Sequence, residues 1–206
     1  MSGSGASATA ATVAAVALWG SVAAGCSATT ASGRPPERLR GEPGWVVAQE
    51  VSLVRQRSRV DCGAAAAAMV LGRWGAAGSA EQAWRATAGD TTSNGIPAGK
   101  LRDLARSKGL QAYLIEGTMD DLHRELRLGR PVLVGLIKGR RKIASTHYEV
   151  VVGINGPLGV LLTADPDRGW REVEIEAFLS EWDPARRLAI VVFPAENQQP
   201  GEGTHG

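Results

Sequence analysis

Two kinds of apolar pattern divide this chain. In the first half, helix-forming segments are opened by capping residues and closed by glycine or proline. In the second half, short β-branched and aliphatic runs alternate with turn residues. Val46 and Val47, then Val51, Leu53 and Val54, predict a short extended opening. The stretch Cys62 to Trp74 carries five consecutive alanines, Ala64 to Ala68, and is helical by propensity. Ser79 with Gln82 is a capping box for a second helix running to about Ala88. A loop from Gly89 to Gly95 leads to a third helix, from Pro97 in its first turn to Lys108, with Gly109 as its stop. Thr118 with Asp121 caps a fourth, ending before Gly129, Arg130 and Pro131.

Strands are predicted at Val132 to Ile137, Tyr148 to Ile154, Val160 to Ala164, Arg171 to Ile175 and Leu188 to Phe193. A short helix falls between the last two, at Glu176 to Trp182. Helices followed by a run of strands indicate an α+β domain, with N-terminal helices packed on a C-terminal antiparallel sheet.

Composition sets the limits. A chain of 206 residues with 44% hydrophobic and 21% charged residues holds one globular domain plus tails. A net charge of +2 with scattered basic residues argues against a nucleic-acid partner. Two cysteines, Cys26 and Cys62, make no disulfide framework. No Cys/His spacing suits zinc, so neither metal nor cofactor is expected.

Residues 10–25 are mostly small or apolar, and Cys26 follows Val22, Ala23, Ala24 and Gly25. This resembles the lipobox of bacterial lipoproteins, although no Lys or Arg precedes the apolar run and Ala23 stands where that motif usually has Leu. Residues 1–26 are therefore expected to be a lipoprotein-type signal with Cys26 lipidated. Residues 27–44, rich in Ser, Thr, Gly and Pro, would be a flexible tether, 45–193 the folded domain and 194–206 a disordered tail. The implied location is the bacterial cell envelope, membrane-anchored through the lipid. Ser27 in place of an aspartate hints at the outer membrane or periplasmic face.

Against this background Cys62 stands out, because it lies where a polar extended segment meets the Ala-rich helix. Unpaired backbone N–H groups and the macrodipole at a helix N-terminus favour a thiolate. Such a nucleophile needs a base, a group to orient the base, and donors for an oxyanion. Of the three histidines, His123 lies in a charged helix and His205 in the tail; His147 alone heads a core strand.

Asn155, Gly156 and Pro157 join the two strands around it. Pro157 lacks the N–H that a two-residue turn would need, so a three-residue loop pairing Ile154 with Leu158 is expected. That register sets His147 opposite Asp165, with side chains on one face. Glu149, two residues along from His147, is a competing partner that would otherwise face solvent or substrate. Gln56, six residues before Cys62, is placed to offer a side-chain N–H beside the Cys62 backbone N–H.

Taken together, Gln56, then Asp61-Cys62-Gly63, then His147-Tyr148 with the apolar strand that follows, then Asp165-Pro166 and Gly169, resemble the bacteriocin-processing, double-glycine-leader peptidases of the papain-like cysteine protease clan. The resemblance spans about Val47 to Phe193 and includes Met69-Val70-Leu71, Phe178 and Trp182. It implies a papain-like fold, Cys62 as nucleophile, His147 as base, Asp165 as its orienting acid, Gln56 as oxyanion donor, and a peptide or protein substrate cut after small residues such as Gly-Gly.

Glu149 departs from the apolar residue usual after His-Tyr. Members of that family are often fused to an ATP-driven exporter. The Gly95 to Leu101 stretch is too short for a P-loop and lacks its hydroxyl residue, so no ATP is expected. Two other readings use the same residues: a non-hydrolytic peptide-binding module of the envelope, and an acyl or peptidyl transferase.

Overall fold

The alanines of the central helix explain how the domain is put together. In the computed structural model, which describes Met1 and residues 31–76, 80–139 and 145–195, α2 runs Cys62–Arg73, and every residue from Cys62 to Leu71 is buried. A helix with small side chains all round sits close to its neighbours on every side. At Gly63 a Cβ would come within 3.2 Å of the Tyr148 ring and 3.3 Å of Leu101. A larger residue there would push the helix terminus away from the sheet.

Around α2 stand α3 (Ala80–Thr87), α4 (Ala98–Ser107) and α5 (Met119–Arg127). Pro97 precedes α4 and Gly109, at φ +81°, follows it, as the sequence predicts. Thr118 and Asp121 close a reciprocal capping box on α5: Asp121 N–H donates to Thr118 Oγ1 at 3.1 Å, and Thr118 N–H to Asp121 Oδ2 at 2.9 Å. The cap expected at Ser79 lies outside the described residues.

The sheet is antiparallel. It is built from β1 (Ala31–Ser32), β2 (Trp45–Val47), β3 (Leu110–Glu116), β4 (Val132–Lys138), β5 (Ser145–Asn155), β6 (Val160–Asp165), β7 (Gly169–Glu174) and β8 (Leu188–Pro194). The order is β1-β7-β6-β5-β4-β8-β3, with β2 paired to the far end of β5. The last helix, α6 (Ile175–Trp182), buries Phe178 and Trp182, and the Trp182 indole donates to the Leu188 carbonyl at 3.0 Å. This is the α+β arrangement expected, helices on an antiparallel sheet.

The fold departs from the sequence reading at β3, at Val51 to Val54 and along the tether. Strand β3 was not predicted. It is an edge strand with Tyr113 and Leu114 turned outward, so its alternation is blurred. Val51 to Val54 adopt no regular structure, although Val51 is buried.

The described part of the expected tether, 31–44, lies against the body of the domain. β1 pairs with β7, a short helix α1 (Pro36–Leu39) follows, and Leu39 is fully buried. Polar composition concealed a strap held by backbone pairing, the buried Pro36 and Leu39, and the Arg34–Glu172 ion pair. Cys26 and the tail from residue 196 lie outside the described residues. Among the described residues no helix is long and apolar enough to cross a membrane.

Candidate active site

Cys62 is the first residue of α2 and is buried. Asp61 at the N-cap makes no side-chain capping bond, and the first intrahelical bond runs from Ala65 N–H to the Asp61 carbonyl at 3.0 Å. The N–H groups of Cys62 and Gly63 therefore have no acceptor within the helix and remain as donors at the sulfur's end of it.

His147 is reached from the sheet. β6 ends at Asp165, so the first residues of β5, His147 among them, run on past it. Tyr148 anchors this end of β5 against the helical layer, its hydroxyl donating to the Ile96 carbonyl at 3.0 Å.

The expected His147–Asp165 contact is present, at 2.8 Å between Nε2 and Oδ1, but the expected register is not what makes it. The hairpin closes with four residues, Gly156 to Gly159, pairing Asn155 with Val160, while Asn155 Oδ1 accepts from Leu158 N–H at 3.2 Å. A bulge between Val151 and Gly153 then shifts the ladder, so that Val150 stands opposite Ala164. Continuing that ladder, Glu149 falls beside Asp165, and His147 lies one diagonal step away on the same face.

With Asp165 ionised, His147 Nε2 carries its proton and donates to Oδ1, which leaves Nδ1 for the sulfur. Burial alone would lower the imidazole's pKa. Hydrogen bonds to Asp165 and Cys62, together with their charges, outweigh it and push His147 up to about 10. For Asp165, burial favours the neutral form. The hydrogen bond and charge of His147, the Asp167 backbone N–H and the charge of Lys138 prevail and hold the carboxyl well below the usual range. Burial, with the charge of Cys62, pushes Tyr148 up to about 12.

Cys62, His147, Asp165 and Gln56 all line one open cleft of about 850 Å³. Gln56 is pinned there by its backbone N–H, which donates to the Pro166 carbonyl at 3.0 Å in the turn after Asp165. Its side-chain Oε1 is buried without a partner among the described residues. The four residues singled out from the sequence thus meet in one place.

Glu149 does not face solvent or substrate. It is 1% exposed and bonded to Lys138 Nζ at 2.7 Å and Arg171 Nη1 at 3.1 Å. Arg171 and Lys138 are the polar residues of this site that the sequence reading missed. The signal available was a charged residue on the inward-facing parity of β7, opposite Thr163. His147, Glu149 and Asp165 place donor-type atoms within 4.8 Å of one another. Lys138 and Arg171 already sit on the two carboxylates, so the cluster is an internal ion-pair network rather than a metal centre.

A cysteine at a helix N-terminus facing a strand histidine, across a cleft between a helical layer and an antiparallel sheet, defines a papain-like peptidase. Residues 50–197 match the peptidase C39 family, and the chain belongs to it. Among solved structures, the peptidase domain of Streptococcus ComA, a bi-functional ABC transporter involved in quorum sensing, is 30% identical with a TM-score of 0.59, covering 71% of this chain and all of that one. A double glycine motif protease from an AMS/PCAT transporter, in complex with the leader peptide, shares the fold at 20% identity and TM-score 0.58, over 72% of this chain and 95% of that one. So does a putative C39-like peptidase from Bacillus anthracis, at 16% identity and TM-score 0.61, over 73% and 98%. No curated protein matches the chain.

Proposed function

We propose that this C39 peptidase is a cysteine peptidase that hydrolyses a peptide bond through Cys62, His147 and Asp165, following small residues such as Gly-Gly. The observation that carries the reading is the placement of His147, bonded through Nε2 to Asp165 at 2.8 Å and lining the same cleft as Cys62, whose charge helps to raise the imidazole's pKa. The sulfur attacks the substrate carbonyl carbon, and the carbonyl π pair moves onto oxygen. There the Cys62 backbone N–H and the Gln56 side-chain amide supply two donors. Collapse of this adduct breaks the C–N bond, and the departing amine takes the proton from His147, leaving a thioester on Cys62. His147 then accepts a proton from water, which cleaves the thioester and frees the thiolate.

The preference for Gly-Gly draws on the double-glycine chemistry of the structural neighbours. Cys62→Ala is expected to abolish hydrolysis of a peptide ending its leader in Gly-Gly while leaving the thermal unfolding midpoint close to that of the wild type. Hydrolysis retained in that variant overturns the scheme. A lipid on Cys26 would hold the enzyme at the cell envelope. Metabolic labelling with a fatty acid should mark the wild type and not Cys26→Ser, and a labelled Cys26→Ser protein would refute the anchor.

A further inference from the structure

Asp165 does not hold its position by the His147 bond alone. Its Oδ1 takes three donors: His147 Nε2 at 2.8 Å, Asp167 N–H at 2.8 Å and Arg168 N–H at 3.3 Å. The only donor recorded for Oδ2 among the described residues is Arg171 Nη1, at 3.4 Å. That same Nη1 lies closer to Glu149 Oε1, at 3.1 Å. Glu149 Oε1 also takes Lys138 Nζ at 2.7 Å, and Lys138 reaches on to Glu181 of α6.

The participants are dry. Side-chain exposure is 6% for Arg171, 1% for Glu149 and 2% for Asp165. A buried guanidinium beside a single carboxylate settles into a short two-pronged pair. Here it does not, because Glu149 competes for it.

We propose that Arg171 and Glu149 are positioning residues for the Asp165–His147 pair, Glu149 drawing Arg171 off Asp165 so that the Asp165 carboxylate stays directed at the imidazole. The inference rests on the roles of Cys62, His147 and Asp165 proposed above. An apolar residue at position 149 would leave Arg171 with Asp165 as its nearest buried counter-ion. Arg171 would then close on Asp165 and weaken that carboxylate's hold on His147.

Glu149 also acts directly. One of its oxygens lies within 4.8 Å of a His147 nitrogen, a distance at which a carboxylate in a dry site favours an imidazolium. The strand that bears Arg171 is braced from outside. Ser32 of the strap pairs with Arg171, and the Gly33 backbone lies so close that a Cβ there would meet Arg171 N at 2.6 Å.

The charged groups around His147 fix the sign of each substitution. They are Cys62 from α2, Glu149 from β5, Lys138 from β4, Asp165 from β6, Arg171 from β7, Glu181 from α6, Asp167 and Arg168 from the turn after Asp165, and Arg59 on the cleft wall. Removing a negative charge disfavours the imidazolium, and removing a positive one favours it. Glu149→Gln should therefore move the His147 titration to lower pH by roughly one pH unit, the low end of what a charge at about 4–6 Å contributes, and Arg171→Gln should move it to higher pH. Residues that only support the fold would move neither, or would move both together.

The test is the rate of Cys62 alkylation by iodoacetamide in the full chain between pH 4 and 11, with the modified residue identified by mass spectrometry. Its upper inflection reads the imidazole. Glu149→Gln is expected to lower that inflection and Arg171→Gln to raise it, while Arg171→Lys, which keeps the charge, returns it to the wild-type position. Lys138→Met, at a partner whose side chain is 20% exposed, should raise it and serves if either buried variant fails to fold.

Inflections that coincide with the wild type in folded variants, or that move in one direction for both Glu149→Gln and Arg171→Gln, overturn the inference. Asp165→Asn separates the two levels. If it leaves the upper inflection in place, the assignment of Asp165 itself fails. If it shifts the inflection while the Glu149, Arg171 and Lys138 variants do not, only the positioning role falls.

Discussion

Replacing Asp165 by asparagine keeps the shape of the side chain and removes the charge that most strongly supports the imidazolium. In the wild type His147 is pushed up to about 10, so at pH 9 about nine-tenths of it is protonated and able to supply the leaving amine with a proton. Without Asp165, the bond and charge of Cys62 remain, but burial still opposes the charged ring. An opposite charge in contact contributes roughly one to three pH units.

A fall of about two, equivalent to about 3 kcal/mol, would bring the titration to about pH 8. At pH 9 only about a tenth of the rings would then be protonated, whereas at pH 7 most still would be. The sign follows from the charged form being the one that Asp165 favours, so activity is lost from the alkaline side. The ratio of wild-type to variant kcat/KM on a Gly-Gly peptide should thus grow about tenfold between pH 7 and pH 9, on top of any constant loss from poorer orientation of the ring. A ratio that stays flat from pH 7 to 10 would show that Asp165 does not set the ionisation of His147, and the reasoning would fail.

Two further outcomes follow from the site and the strap. Gln56→Ala should lower kcat on a peptide by about 10²–10³, as the loss of one oxyanion donor does elsewhere, yet leave alkylation of Cys62 unchanged, because that displacement builds no oxyanion; equal losses in both reactions would assign Gln56 to the fold instead. Leu39→Ala removes the one fully buried apolar side chain of the strap helix and should destabilise the protein by about 2–5 kcal/mol in urea unfolding, whereas a change under about 1 kcal/mol would mean that the strap adds little to stability.

How much of this was legible in the sequence depends on whether the signal was local. Helix α4 was bounded by Pro97 and Gly109, and α5 by the Thr118–Asp121 box, because each boundary is made by residues within one turn. Cys62 and His147 were legible for a similar reason: one sits where a helix must begin, the other where a strand enters the core. The strap was not, since α1 is four residues long and its fully buried side chain, Leu39, lies in a stretch whose composition reads as linker. Arg171 and Lys138 were not either. A charge on a strand reads as solvent-facing unless its partners are known, and these partners come from β5, β6 and α6.

The register of the β5–β6 hairpin shows why a correct contact can be reached by incorrect geometry. Pro157 does exclude the two-residue turn, but the loop that forms has four residues, and that alone would ruin the site. Carried straight down the ladder from Asn155 and Val160, it would put Val150 beside Asp165 and turn His147 to the opposite face. The bulge between Val151 and Gly153 inserts one unpaired residue, restores the parity and returns His147 to the face of Asp165 and Glu149. Gly153 suits this place because a Cβ there would crowd the Leu162 side chain at 3.2 Å and the Trp45 ring at 3.4 Å. The turn moves the register by three residues from the expected one and the bulge takes back one, so the facing parity is restored although the pairing is not. A sequence count that missed both arrived on the correct face, one pair of residues out of step, which is why it set Asp165 opposite His147 and left Glu149, the residue that stands beside Asp165, as a rival partner for the imidazole.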